Sequence, residues 1–491
     1  MKKTLLLFCL GLSIQGLNAA GTYTQNENVY NVAAVSDNTS WTNYAASSFE
    51  GGEGTAESPY LIKTAEQLAK LAKDVNEGVS TYENTYFKMV ADIDLDGHDW
   101  TPIGYNRTVG EGDEAVNERV DFSGKFDGNG CKISNLYITE LPNYKSMGLF
   151  ANTSQTFELR NLTIESGEIS GEMVVGAFVG SNDGLIENCV NKANISCFYY
   201  YAGGITGSNY KNGTLRQCIN YGYILAGSGG SNGMSAGGVT GSNYNLVEEC
   251  ANYGDVETLG TGAGGIVELM EGGIVRNCFN RGAIKGPERL GGIVGEALGR
   301  GGNCEIYNCY NAGTINAEAI DTGAILGLGM FISFISLNKL TIKDVYNNSD
   351  LFSGESWGSV TDFTGSFDLT EATFMTTDEM KADDFVTKLN SLSGSEENVW
   401  MADAKNINDG YPILGYMENI STGITSPAAG KDFNVYAAEG AIVVEGAEGE
   451  PMQVYTVGGQ MVYSGKAANV SSKAGLYVVR VGNKAYKVVV K

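Results

Sequence analysis

Side chains able to do chemistry are few in kind in this chain. Among its 491 residues there is one histidine, His98. It sits in DIDLDGHD (92–99), a turn at the end of a strand-like run. With no second imidazole, Ser-His-Asp and Cys-His catalysis lack a base. Asp92, Asp94, Asp96 and Gly97 match the opening D-x-D-x-D-G of a calcium loop. The twelfth position, which should be Glu, is Ile103, and the flanks read as strand rather than helix. The run therefore reads as a polar strand face and turn, with a weak calcium site as the alternative. Carboxylates are plentiful, 57 in all, yet none repeats as the distinctive pair that glycoside hydrolysis uses. No CxxC pair or neighbouring His offers transition-metal ligands, and no cofactor is implied.

Cysteine and tyrosine behave differently, because they recur in register. Cys189, Cys218, Cys250, Cys278 and Cys309 each stand three residues after an aliphatic, two before an Asn and four before Ala or Gly. Stacked in a solenoid, they form a ladder about 4.8 Å per step. Such thiols are buried small hydrophobes unless bridged, and Cys304 with Cys309 is the best local bridge candidate. Three residues after each Cys come Lys192, Tyr221, Tyr253, Arg281 and Ala312, a stripe on one face. GSNY occurs twice and places Tyr210 and Tyr244 in equivalent loops, while Phe198–Tyr201 forms an aromatic loop. Flat rings beside Asn and Ser can hold sugar rings or peptide side chains. The plainer alternative is exposed tyrosine by composition. The expectation carried forward is an open ring platform at Tyr221 and Tyr253, flanked by Lys192 and Arg281, with Tyr210 and Tyr244 next in line.

What positions these residues is a repeat. Upstream of each Cys lies a Gly-rich pentad: GAFVG (176–180), GGITG (203–207), GGVTG (237–241), GGIVE (264–268) and GGIVG (291–295), with GAILG (323–327) opening a degenerate copy. Spacings between first glycines are 27, 34, 27, 27 and 32 residues. A fixed period of this size means units that bury their apolar faces only against neighbours. Short apolar strands separated by Gly and Asn corners, at about 27 residues per turn, predict an all-β, right-handed parallel β-helix with three-sided coils. The Asn two after each Cys is expected to form a corner ladder.

The remaining chain frames the coil. Lys2-Lys3, an apolar run from Leu5 to Leu12 and Ala19-Ala20 read as a cleaved secretory signal over 1–20. Residues 21–50 are irregular, and 51–145 form an N-terminal cap with a helix opened by Thr64 and Gln67. Repeats fill 146–345, and the pattern breaks in FISFISLNKLTI (331–342). A C-terminal cap with a helix at about 377–390, opened by Thr376 and Glu379, spans 346–417. A polar linker (418–431) leads to Val-rich strands at 432–491, expected to be a small antiparallel β-sandwich. The formal charge is −25, and −27 without the two leader lysines, so nucleic acid and anionic membranes are excluded as partners. No mature segment has eighteen uninterrupted apolar residues, so no transmembrane segment is expected.

GGIVG followed by IxNCxNxGxI resembles the GLUG repeat of bacterial surface proteins. GGEGTAESPYLIKTAEQLAKLA, ADIDLDGHDWTPIG and FSGKFDGNGCKISNLYI resemble the region that often precedes such repeats, and NDGYPIL their usual exit. The likeness covers roughly 50–415. It implies an exported, adhesin-like β-helix. The tail, with VYTVGGQMVYSG, GLYVVRVG and KVVVK, resembles C-terminal sorting domains of the type IX secretion class, which implies export machinery as a partner. Some GLUG proteins are zinc peptidases, but their HExxH helix has no counterpart here. The reading is a non-catalytic protein, secreted or on the outer surface, that binds an extracellular glycan or protein. A polysaccharide-acting β-helix enzyme and a purely structural envelope protein are the alternatives.

Overall fold

The computed structural model describes residues 40–419, apart from 97, 111, 113–114, 140, 142, 228–233, 317, 331–337 and 362–366, together with strands within 22–31 and 434–490. The leader expected at 1–20, most of the 418–431 linker and part of the 331–342 break lie outside the described residues. The chain divides into two compact units. One holds the solenoid, Asp37–Lys405 with Asp409–Ile420; the other gathers the terminal segments.

The solenoid is a stack of parallel sheets of 11, 10, 8, 7 and 6 strands, about ten turns deep. One turn reads Leu185–Glu187, Val190–Asn191, Asn194–Cys197, Tyr201–Gly203 and Thr206–Asn209. Each strand pairs with its equivalent one turn on, as Ile186 with Leu215, Asn191 with Asn220 and Ala202 with Ala236. The coil is thus divided more finely than the three sides expected. The Gly pentad supplies the extra bend, because it folds two strand columns against each other with no side chain between them. A Cβ at Gly207 would lie 2.6 Å from Val174 Cγ1.

Inside the coil run the columns the sequence announced. Cys189, Cys218, Cys250, Cys278 and Cys309 are fully buried, as are Ile186, Leu215, Val247, Val275 and Ile306. Burying each aliphatic contributes about 1.5–3 kcal/mol before entropy is counted. All eight cysteines from Cys131 onward are free thiols, Cys304 and Cys309 included. Neighbouring rungs touch instead through backbone: Cys250 N–H meets Cys278 Sγ at 3.4 Å. At the corner, Asn191, Asn220, Asn252, Asn280, Asn311 and Asn347 form an unbroken amide ladder at 2.8–2.9 Å per step. The first five rungs also bond the backbone two residues on, as Asn191 does with both groups of Ala193, while Asn347 donates to Asn348 O and Phe352 O.

Helix α1 (Ala65–Asn76) is capped by the Thr64 hydroxyl, which accepts from Gln67 N–H. The Gln67 carbonyl oxygen accepts from Lys63 N–H rather than from Thr64, one residue earlier than a reciprocal box would have it. Leu68, Leu71 and Val75 are fully buried against the coil. The single helix expected at 377–390 is two, α2 (Thr377–Met380) and α3 (Asp383–Ser391). The Thr376–Glu379 capping box is present. Asp383 and Asp384 favour a helix start over a helix interior, so a new helix begins there.

The tail builds a three-stranded and a four-stranded antiparallel sheet. Ile442, Val444, Met452, Val454, Val470 and Val479 form its core.

Candidate functional site

The expected ring platform exists as a stack but not as an open surface. Tyr221 and Tyr253 lie with ring centroids 4.8 Å apart and planes within 14°. Both are part-buried, and the Tyr253 hydroxyl is enclosed without a partner. Burial pushes the Tyr221 phenol up to about 12 and raises the Tyr253 phenol well above its usual range. The cover comes from the C-terminal cap, which folds back along this corner. Asn277 and Asn308 donate to the Ser393 and Leu389 carbonyls at 3.1 and 2.9 Å. The Tyr310 hydroxyl donates to Pro412 O at 2.5 Å, and Phe279 and Tyr310 pack on Trp400. Arg281 pairs with Asp409 at 2.7 Å and lies over the Tyr411 ring at 4.1 Å. Lys192 is held by both Glu165 oxygens at 3.0 Å. The stripe of Lys192, Tyr221, Tyr253 and Arg281 is therefore packing, a correction to the platform expectation. The sequence hid this because the covering segment lies more than a hundred residues downstream.

The second pair is part-buried and borders a surface depression. Tyr210 and Tyr244 stack with centroids 5.8 Å apart and planes within 28°. They line a shallow depression with Arg119, Asp183, Lys211 and Asn212. Asp183 is engaged, accepting from Asn212 N–H and Nδ2 at 3.1 and 3.0 Å. Arg119 pairs with Asp121 at 2.7 Å. Lys211 is exposed and forms no ion pair among the described residues. The asparagines preceding these tyrosines anchor them: Asn182 donates to Asn209, and Asn209 to Asn243, each at 2.9 Å. The result is two rings on consecutive turns with a cation, an amide and a carboxylate at their edge.

The carboxylates of Asp92 and Asp94, named with Asp96 as a weak calcium alternative, are engaged within the protein. Asp92 accepts from Lys132 N–H at 2.8 Å. Asp94 accepts from Asp96 N–H and Asn135 Nδ2 at 3.0 and 2.8 Å. These carboxylates tie turns together, and no group of three potential ligands converges among the described residues. His98 stacks on Tyr44 at 4.1 Å with Trp41 edge-on at 4.8 Å, a packing role.

Two features escaped the sequence reading. One is an ion-pair ladder on the outer face: Lys125–Glu158, Arg160–Glu187, Arg216–Glu187, Arg216–Glu248 and Arg276–Glu248. Strand register aligns these residues, and only register reveals them. The other is a group of three carboxylates, Glu268, Glu271 and Glu296, with Arg289, Arg300 and Tyr201 around them. Its signal was in the pentads, where GGIVE carries Glu in place of the final Gly. Glu268 is 1% exposed. Its carboxyl lies well above the usual range through burial and then the neighbouring Glu296. Glu296 is also raised, by burial. Glu271 is bound by Arg300 through two hydrogen bonds.

Residues 425–490 match a domain of unknown function, DUF6383. Over 153 residues the chain is 35% identical to a "Putative Gly-rich membrane protein" of Evansella cellulosilytica, covering 29% of this chain. Over 139 residues it is 32% identical to Halomucin of Haloquadratum walsbyi, covering 28% of this chain. The chain spans 15% of the first relative's length and 1% of the second's. A crystal structure of a "putative immunoglobulin A1 protease" from Bacteroides ovatus aligns at TM-score 0.44 and 20% identity, covering 75% of this chain and 95% of that one. No helix among the described residues is long and apolar enough to cross a membrane.

Proposed function

We propose that this is an exported surface protein whose solenoid is a non-catalytic scaffold that binds a glycan or protein across adjacent turns. The observation that carries the reading is the Tyr210–Tyr244 stack that lines a surface depression beside Lys211 and Asn212. Stacked rings with polar groups at the rim suit a sugar ring or a peptide side chain. Partial likeness to proteins named for a membrane and a mucin supports placement at a surface. The GLUG-type repeat and a sorting role for the DUF6383 tail belong to the same proposal.

A carbohydrate-acting enzyme has one observation in its favour, the raised carboxyls of Glu268 and Glu296. Upward-shifted acids are what general acid catalysis requires. Against it weighs the burial of Glu268, which is 1% exposed. A glycan array probed with the mature protein separates the readings. Selective binding without turnover supports the scaffold, product release supports the enzyme, and silence leaves a structural envelope role.

A further inference from the structure

Six turns carry the pentad, and its last position is Gly in five of them: Gly180, Gly207, Gly241, Gly295 and Gly327. Strand register places Glu268 in that column, since Val267 pairs with Thr240 and Val294 while Leu269 pairs with Ser242 and Glu296. The glycines are required because a facing strand column presses on them. A Cβ at Gly241 would lie 2.7 Å from Tyr201 Cβ, and one at Gly327 would lie 2.6 Å from the Arg289 backbone. The facing column reads Val174, Tyr201, Ser235 and Gly262 in register. Its two smallest members, Ser235 and Gly262, stand where Glu268 needs room. The fit is close: a Cβ at Gly262 would come within 2.1 Å of Glu268 Oε1.

The carboxyl so accommodated is poorly matched. Neither oxygen meets a donor in hydrogen-bond geometry among the described residues. Ser235 and Arg289 are near enough to favour the ionised form, but burial and the Glu296 and Glu271 carboxylates outweigh them. Arg289 is already drawn to Glu296 at 3.4 Å, and Arg300 to Glu271. Tyr201, beside the same carboxylates, offers a phenol that burial keeps protonated. Glu288 also lies 3.8 Å from Arg289, so four acids share two guanidiniums and a proton kept on Glu268 lowers the excess negative charge of the cluster. An ionised carboxylate buried without donors is expensive, and the alternative open to the protein is to retain the proton or to open the site.

We propose that Glu268 is a proton-controlled latch in the solenoid wall, closing the 262–271 turn while its carboxyl is protonated and loosening that turn when the proton leaves. The strands it ties are Gly262–Gly264 and Val267–Met270, and the turn above contributes Glu288–Gly291 and Val294–Ala297. Because the folded carboxyl titrates above the unfolded one, its contribution is full below the ordinary glutamate range, about 4.3, and is lost as pH rises through the folded value. That direction is opposite to the usual behaviour of paired carboxylates, which lose stability on acidification.

The test compares mature wild-type protein with Glu268→Gln between pH 5 and pH 8, below the range where thiols titrate. Hydrogen exchange, corrected for its intrinsic pH dependence, should show wild-type peptides covering 262–271 and 288–298 losing protection as pH rises, by up to about tenfold per unit for one proton. The Gln variant should hold protection constant. Should that variant fail to fold, Glu268→Gly restores the residue of the other turns and gives the same comparison. Parallel pH profiles in wild type and variant overturn the latch, as does loss of protection spread evenly along the solenoid.

Discussion

Asn220 donates its side-chain amide to the Asn252 carbonyl oxygen at 2.8 Å, and Asn252 passes the same bond on to Asn280. Asn252 also donates to Gly254 O at 2.8 Å, and the whole ladder is shut away from solvent. Each rung therefore satisfies one neighbour while being satisfied by another. Replacing Asn252 with Leu keeps the volume, removes the Asn252 donor from the Gly254 oxygen and leaves the Asn280 oxygen with Gly282 N–H as its remaining donor. The expected loss is about 2–4 kcal/mol of folding stability, at the desolvation cost of buried polar groups. Denaturant unfolding measures it; a change within about 0.5 kcal/mol, typical of a surface site, would show that the ladder contributes little.

The thiol ladder makes two expectations together. Cys250→Ser should cost about 1–3 kcal/mol, because a hydroxyl enters a site built for sulfur. A thiol reagent should find all eight cysteines from Cys131 to Cys309 reactive in denatured protein that begins at residue 21. In the folded protein reaction should be confined to Cys131, the one rung-free cysteine that is not fully enclosed. Recovery of fewer than seven thiols after denaturation would show that bridges form.

Those thiols also set an alkaline limit. Burial holds the Cys250 and Cys278 thiols well above their usual range. A folded value above the unfolded one means stability that is full below about 8.5 and lost as pH climbs beyond it. Unfolding midpoints taken from pH 8 to pH 10 should fall, and Cys250→Ala should flatten part of that fall. A midpoint constant to pH 10 would mean that the ladder does not resist ionisation.

The two tyrosine pairs should part company. Tyr221→Ala with Tyr253→Ala removes rings wedged beneath the C-terminal cap, and should lower the melting temperature by several degrees. Tyr210→Ala with Tyr244→Ala should leave melting nearly unchanged and weaken binding of an array-identified ligand by roughly tenfold or more, at about 1–3 kcal/mol per stacked ring as judged from base–aromatic contacts. Unaltered affinity in the second double variant would move the binding site elsewhere.

Removal of the tail is the last expectation. Residues 21–417 should fold alone with an undiminished melting transition, since the solenoid unit has its own core. Deletion of 432–491 should hold the protein inside the cell envelope. Normal surface display of the truncated chain would refute a sorting role for the DUF6383 domain.

Much of the molecule was legible in one dimension because a solenoid repeats its environment. Cys, Asn and aliphatics recur at fixed offsets since each must meet its own kind one turn away, so spacing alone announced the core, the Asn corner and the parallel stack. The Thr64 and Thr376 caps were legible for a similar reason, as both are local. What the sequence could not determine was cover and close approach. Tyr221 and Tyr253 look identical to Tyr210 and Tyr244 in a linear reading, and only the return of 383–419 along one corner covers the first pair while the second stays part-buried at the edge of a surface depression. Glu268 stood in plain view as a broken pentad. That its carboxyl fills the space left by Ser235 and Gly262, beside Glu296 and without a donor, follows from strand columns that no offset within a repeat describes. Local periodicity fixes which residues stack; tertiary packing fixes which of the stacked faces meets water.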